Sequence, residues 1–505
     1  MIRALRFAAI ALAAFAALLA VNSWLHQHGF IAASVMHDWG EVVLYGDGKG
    51  SYREFTTTYP PIAFALGVLA GVPIRQISSL PPPVVTAALL AALLAATWTS
   101  ALRAEGYGRW CSVVLTVLIC LHPFFLYIAT TGVDAILLLI AVYWFAAAYC
   151  ASRIKGRVTD LMNLALALAF TAFVHPLGAL ICVVALPFLA LALPPALIAR
   201  SALNSMLVLL FPLLFALGSF AYENALFEDS ATAFLRNLFG HVPAVVRAGH
   251  GFAVPHSDPL AWCIVIGVAV LTLAAAVPIA LVPVLRRPQG RGLARPIPAL
   301  FALASVAVAS VGIEAVTNGG TANPSALLKM AAPFVALAAV AVRHWPSSPR
   351  CRGAVAALLL AGVVLSWGVS FLWRSGEPAL WRDAAMGVSV DVGQNTGAAT
   401  LGRYLATRTD ILIDASAHPE VLAARGSAYG LVVPTDDAFM LATLTRQIHT
   451  HFIAVPDPDF PEMLNDDLLT RTFAKMYEQG MRGYHLIYDT NGWRVYERND
   501  ARNPV

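Results

Sequence analysis

Runs of about eighteen apolar residues recur along this 505-residue chain, and no other feature restricts its fold as strongly. A helix rises about 1.5 Å per residue, so roughly 20 such residues cross ~30 Å of hydrocarbon with every backbone amide bonded inside the segment. Twelve apolar segments can be marked, at roughly 7–24, 61–78, 83–101, 110–128, 134–151, 160–174, 176–197, 203–221, 261–284, 298–316, 326–342 and 353–372. Charged residues make up 12% of the chain, half the usual soluble share of about 25%. The fold class is a polytopic α-helical membrane protein.

Orientation follows from the basic residues. Arg3 and Arg6 precede the first apolar run, which reads as an uncleaved first helix. The loops SRIKGR (152–157), RRPQGRGLAR (286–295) and RHWPSSPRCR (343–352) are basic and mark the cytoplasmic face. A first loop (25–60), a second (222–260) and everything after residue 373 then fall outside. Twelve crossings would return the tail to the cytoplasm, so 11 or 13 are expected, with 60–101 the suspect region. Arg75 and Arg103 cannot both be cytoplasmic with one helix between them. The six cysteines lie mostly in apolar runs and show no metal or disulfide spacing.

Residues 375–505 have a different character, with eleven basic and seventeen acidic residues. ILID (411–414), GLVVP (430–434) and HFIAVPD (451–457) read as short strands. YHLIYDTNGWRVYER (484–498) reads as a hairpin turning at Asn491-Gly492. Helical patterns at 397–407, 436–449 and 465–479 alternate with the strands, giving a soluble α/β domain after a membrane domain of residues 1–374.

The residues with chemical potential lie in the outside loops. HDWGEVVLYGDGKGSYREFTTTYPP (37–61) is acidic and follows the first helix. Asp38 and Glu41 are three apart, so a short helix would present both on one face, beside His37. A carboxylate poorly solvated against apolar protein becomes more basic and can serve as a general base. Asp47-Gly48-Lys49-Gly50 reads as turn chemistry alone, and Tyr59-Pro60-Pro61 as the start of the next span. The second loop carries Arg236 and His241 among several histidines, without HExxH spacing. It is compatible with a divalent metal but does not call for one. Lys329 sits in the start of a late span, where a lysine is costly and a phosphate is its natural partner. His175, inside an apolar run, reads as a hydrogen-bonded core residue.

These features together resemble the GT-C glycosyltransferase superfamily. The likeness lies in the basic N-terminus, the acidic first loop opening with Asp38, Tyr59-Pro60-Pro61, and HPFFLYIATTGVDAILLLI (122–140) with its Gly-x-Asp-Ala step at Asp134. The soluble C-terminal domain suits the bacterial branch that includes aminoarabinose and protein O-mannosyl transferases. Where many members have Arg-Tyr before a late proline-containing helix, this chain has Lys329-Met330.

The resemblance implies inverting transfer of a sugar from a polyprenyl-phosphate donor to a lipid or glycan acceptor. The reaction would occur on the periplasmic face of a bacterial inner membrane. Asp38 would be the base, with Glu41 its substitute. His37, Tyr59, Pro60, Asp134 and His241 would line the substrate site, and Lys329 or Arg236 would balance the phosphate charge. The resemblance fixes no cofactor and leaves a divalent metal open, and nothing points to nucleic acid. A transporter or flippase would predict paired charges within spans and an internal duplication, neither of which is visible. A scaffold displaying the C-terminal domain would tolerate loss of Asp38.

Overall fold

The computed structural model describes residues 2–155, 157–192, 195–234, 252–253, 321–322, 335–344, 349–371, 376–391, 393, 396–458 and 467–499. Its membrane part is helical. Five of the described helices are long and apolar enough to cross a bilayer unaided: α1 (Ile2–Gln27), α5 (Pro82–Ala104), α8 (Val133–Lys155), α11 (Pro195–Phe227) and α13 (Pro349–Ser370). A sixth span is bent by 70° between α6 (Arg109–Cys120) and α7 (Pro123–Thr130). Pro123 cannot continue the ladder of α6. His122 closes the break, its Nδ1 accepting from Phe124 N at 3.2 Å and its Nε2 lying 2.9 Å from Ser366 Oγ on α13. Between α8 and α11, α9 (Val158–Val174) and α10 (Pro176–Ala192) complete the described bundle.

The ends of these helices define two faces. On one, Arg343, at the end of α12 (Val335–Arg343), pairs with Glu105 at 3.0 Å, and Arg352 donates to Gly106 O at 3.0 Å. On the other lie three short helices, α2 (Ala33–Gly46), α3 (Tyr52–Thr57) and α4 (Pro61–Arg75), together with the C-terminal domain.

Helix α4 corrects the reading of Tyr59-Pro60-Pro61 as the start of a crossing. Pro61 does open a helix, but it has 15 residues, with Pro73 inside its last turn. At its start, Tyr59 donates to Ala172 O near the end of α9. At its end, Arg75 donates to Gly426 O of the C-terminal domain at 2.7 Å. Both ends therefore lie on the same face, and the next crossing is α5, opened by Pro82 and Pro83. The first loop runs to about residue 81 and holds three helices. The suspicion attached to 60–101 thus resolves as a helix that does not span.

After α14 (Glu377–Ala385), the C-terminal domain folds as helices around a five-stranded sheet of order β4-β3-β5-β7-β6. Strands β3 (Ile411–Leu412), β4 (Leu431–Val432) and β5 (Phe452–Pro456) are parallel; β7 (Trp493–Arg498) and β6 (Tyr484–Thr490) are antiparallel. A separate two-stranded pairing joins β1 (Phe252–Ala253) to β2 (Thr321–Ala322). The hairpin turns at Asn491-Gly492, with φ of 49° and 76°, the left-handed pair that a two-residue turn of type I′ needs. Helix α15 (Gly397–Leu405) and helix α16 (Pro419–Arg425) pack together beside the sheet, and α17 (Asp437–Thr445) follows β4. The 465–479 pattern is two short helices, α18 (Leu468–Thr472) and α19 (Met476–Gln479).

Helix α2 joins the two parts because its apolar residues enter both cores. Val35 and Met36 pack into the membrane-domain cluster, while Val43 and Leu44 pack into that of the C-terminal domain with Leu401, Val421 and Leu431. Where α2 crosses α16, Gly40 lies so close that a Cβ there would sit 1.8 Å from Pro419 O.

Candidate active site at the joint between the domains

The acidic loop forms a helix because its apolar residues are paired off against two partners, as above, and because its start is capped from a distance. Ala32 has no side chain to cap α2. The Glu377 carboxylate, in the first turn of α14, accepts from Ala33 N at 3.1 Å and from Tyr127 Oη at 2.8 Å. An anion at that end also suits the helix dipole. Ser34 Oγ donates to Thr131 O at 2.6 Å, which fastens α2 over the link between α7 and α8.

That link brings two of the sequence candidates together. Gly132 has φ of 134°, and a Cβ placed on it would lie 3.1 Å from Asp134 Oδ1 and 3.6 Å from Asp38 Oδ2. Asp38, on α2, and Asp134, in the first turn of α8, therefore flank one small space, and only glycine leaves it open. His175, between α9 and α10, completes the group. Its Nε2 is 3.6 Å from Asp134 Oδ2, and its Nδ1 accepts from Leu177 N at 3.0 Å. The sequence reading placed His175 among core residues. Its apolar flanks gave no sign that two helix ends meet there.

Glu41 is buried and faces the other way along α2. It interacts electrostatically with His37, four residues before it, with Glu54 of α3, with Asp38 and with Glu420 of α16. His37 Nδ1 lies 3.3 Å from Glu420 Oε1. Burial, then the charge of Asp134, pushes the Asp38 carboxyl up to about 7, while His37 restrains it. Burial pushes Glu41 up to about 8, again against the pull of His37. Burial works against the His37 imidazolium, but Glu420, Glu41 and Asp38 outweigh it and raise His37 to about 9. The site thus holds two carboxyl groups, Asp38 and Glu41, whose proton affinities are raised toward neutrality, where a general base works best.

The turn at Asp47–Gly50 does more than the sequence suggested. Asp47 pairs with Arg75 at 2.9 Å and accepts from Ser427 Oγ at 2.9 Å and Ala428 N at 2.7 Å. Lys49 Nζ lies 2.6 Å from Asp436 Oδ1. The bonds to Ser427, Ala428 and Asp436 hold the C-terminal domain down on the end of α2, and their partners are 380–387 residues apart in the chain.

Tyr59 is buried against Phe220 and Phe234, and Pro60 precedes α4. Arg236, His241 and Lys329 lie outside the described residues, so the phosphate-binding cations expected from the sequence have no described geometry. Among the described residues, no three His, Cys, Asp or Glu side chains are grouped to hold a metal ion.

No protein-family model matches this sequence, and no curated protein does. Solved structures do. ArnT from Cupriavidus metallidurans, in its crystal structure bound to undecaprenyl phosphate, is similar over 99% of both chains at 13% identity, with a TM-score of 0.52. The apo form of the same protein gives 11% identity and a TM-score of 0.45 over 97% of this chain and 98% of that one. The oligosaccharyltransferase of Archaeoglobus fulgidus gives 14% identity and a TM-score of 0.39 over 98% of this chain and 75% of that one. The full-length match to undecaprenyl-phosphate-bound ArnT is a likeness of fold, and the chain has the GT-C fold that its motifs resembled.

Proposed function

We propose that this protein is an integral membrane glycosyltransferase that moves a sugar from a polyprenyl-phosphate donor to a lipid or glycan acceptor, with inversion. The observation that carries this reading is the meeting of Asp38 and Asp134, 96 positions apart in the sequence, at an opening kept by Gly132. They meet where the membrane helices end beneath the C-terminal domain, in a chain with the fold of an undecaprenyl-phosphate-binding protein. A lipid-borne donor presents its phosphate at that depth.

Asp38 takes the proton from the acceptor hydroxyl or amine as that atom attacks the anomeric carbon. The bond from the anomeric carbon to the phosphate oxygen breaks, and polyprenyl phosphate leaves as an anion. Because phosphate is already a good leaving group, no strong acid is needed. Asp134, with His175 behind it, faces the same space and would orient the acceptor or the sugar. Tyr59 and Pro60 would border the donor, and Lys329 or Arg236 would balance its charge. Basic residues gather on the face opposite the C-terminal domain, among them Arg103, Arg343 and Arg352. This supports an orientation with the C-terminal domain in the periplasm of a bacterial inner membrane.

The test is sugar transfer in membranes from a panel of polyprenyl-phosphate sugars, comparing wild type with Asp38→Asn at equal membrane levels. Losing a general base lowers the rate by about 10²–10⁴-fold. Transfer that survives Asp38→Asn would move the base to Glu41. Absence of transfer from every donor would favour a transporter or a scaffold.

A further inference from the structure

His37, Asp38 and Glu41 of α2 stand within five positions of one another, yet they face different surroundings. Asp38 faces Asp134 of α8, with His175 beyond it. Glu41 faces Glu54 of α3. His37 faces the C-terminal domain, where Glu420 stands in the first turn of α16, two residues after His418. The α2–α16 crossing fixes this last contact. Backbone meets backbone at Gly40 and Pro419 with no room for an added methyl group, so His37, one turn before Gly40, falls opposite Glu420.

We propose that Glu420 is a positioning residue for the Asp38 site: from the C-terminal domain it holds the ring of His37, the residue next to Asp38, at 3.3 Å and through it tunes Asp38 as the base. The inference rests on the reading of Asp38 as the base. It makes the C-terminal domain part of the reaction machinery through one carboxylate. The chain of effects is short. Burial works against the charge on His37, and Glu420, 3.3 Å from its Nδ1, is the largest of the three carboxylates that favour it. Burial and Asp134 together would leave Asp38 protonated at neutral pH, and the His37 charge opposes them. Glu420 itself is held below the usual carboxylate range because His37 outweighs the effect of its burial.

The experiment is the pH profile of transfer for wild type, Glu420→Gln, Glu420→Asp, His37→Gln and the double variant His37→Gln/Glu420→Gln. Glutamine keeps the size of the side chain and the α2–α16 crossing. Glu420→Gln is expected to move the acidic limb of the profile upward by about one pH unit, lowering the rate about tenfold at pH 6. The rate at pH 9 should stay near that of wild type. His37→Gln should move the limb in the same direction, the double variant should add nothing further, and Glu420→Asp should restore most of the profile. A loss that is equal at all pH values would mean that Glu420 is only structural and would overturn the proposal. So would an unmoved limb in an enzyme that Asp38→Asn inactivates.

A second readout does not depend on turnover. The folded-state pKa of His37 is raised from 6.5 to about 9. The stabilisation it gives is therefore fully present below pH 6.5 and is lost as pH rises through about 9. Thermal unfolding of wild type should show that loss, and Glu420→Gln should not. If wild type transfers no sugar from any donor, the transferase reading fails on its own. The unfolding curves then decide whether Glu420 holds the His37 charge, and identical curves would overturn that as well.

Discussion

Gly40→Ala is the smallest change that tests whether the joint between the domains sets the site. The added Cβ would sit 1.8 Å from Pro419 O, 2.2 Å from Pro419 C and 2.7 Å from Pro419 Cβ. Two of these are backbone atoms, so no rotamer change relieves the clash. Real Cβ atoms essentially never approach closer than 3.0 Å, and α2 and α16 must therefore separate by more than 1 Å. Overpacking of this kind costs about 1–3 kcal/mol. The same movement stretches the 3.3 Å His37–Glu420 contact and tilts Asp38 relative to Asp134. A misplacement of about 1 Å can lower a rate on the order of 10²-fold. Thermal unfolding in detergent and the transfer assay should thus show a lower Tm and a rate down by roughly that factor. Gly67→Ala, in α4, is the matched control. A Cβ there meets nothing within 4 Å, and alanine in a helix is worth about 0.5–1 kcal/mol over glycine. If Gly40→Ala unfolds and reacts like wild type, the described crossing is wrong, and with it the coupling between the domains.

Three further outcomes follow from the same geometry. Asp38 and Glu41 have folded-state pKa values raised from 3.8 and 4.5 to about 7 and 8. The folded chain holds more protons than the unfolded one between those limits, so their burial costs stability increasingly as pH rises from about 4 to 8. Asp38→Asn and Glu41→Gln should raise Tm at pH 8 and leave it nearly unchanged at pH 4, measured by thermal unfolding. Glu377→Ala removes the acceptor of the Ala33 amide and leaves the buried Tyr127 hydroxyl without that partner. A cost of about 1–3 kcal/mol is expected from unfolding, with faster hydrogen exchange at the start of α2. Arg75→Ala strips Asp47 of its ion pair, and Asp47 is held below the usual carboxylate range against the effect of its burial by Arg75, Ala428 and Ser427. The acid sensitivity of the C-terminal domain's attachment should then move to higher pH, read by limited proteolysis between pH 3 and 6.

Much of this arrangement was legible in the sequence, and the parts that were not share one cause. Local signals held up: the hairpin at Asn491-Gly492, the helix that carries Asp38 and Glu41, and the strands of the C-terminal domain depend on residues within a few positions of one another. Asp38 and Asp134 were both marked, each by its own short motif. What sequence could not give was contact across hundreds of residues. Asp47 and Lys49 have the composition of a turn and form one, yet their side chains clamp residues 426–436. Glu377 and Glu420 carry no local signal because their partners, Ala33, Tyr127 and His37, are 250–383 positions away. Hydropathy over 61–78 could not separate a crossing from a helix lying on one face. The discriminating feature is length: α4 ends at Arg75, two residues after Pro73, and Pro82 opens the next helix, so its 15 residues fall short of the roughly 20 that cross a bilayer.

The placement of α2 explains why the acids stand where they do. A helix that belonged to one core alone could swing with its own domain, and Asp38 would then be positioned by loops. Instead Val35 and Met36 are fixed in the membrane core, and Val43 and Leu44 in that of the C-terminal domain. Burying a valine or leucine side chain is worth about 1.5–3 kcal/mol, so withdrawing either end exposes residues that each domain needs to keep covered. Between these anchored ends lie His37, Asp38, Gly40 and Glu41, the stretch that must be polar and close-fitting at once. Asp38, held there, is buried against apolar protein and faces Asp134 of α8, both of which raise its affinity for a proton, while His37 on the C-terminal-domain side restrains that rise. The device that anchors the two domains to each other is the same one that makes Asp38 basic.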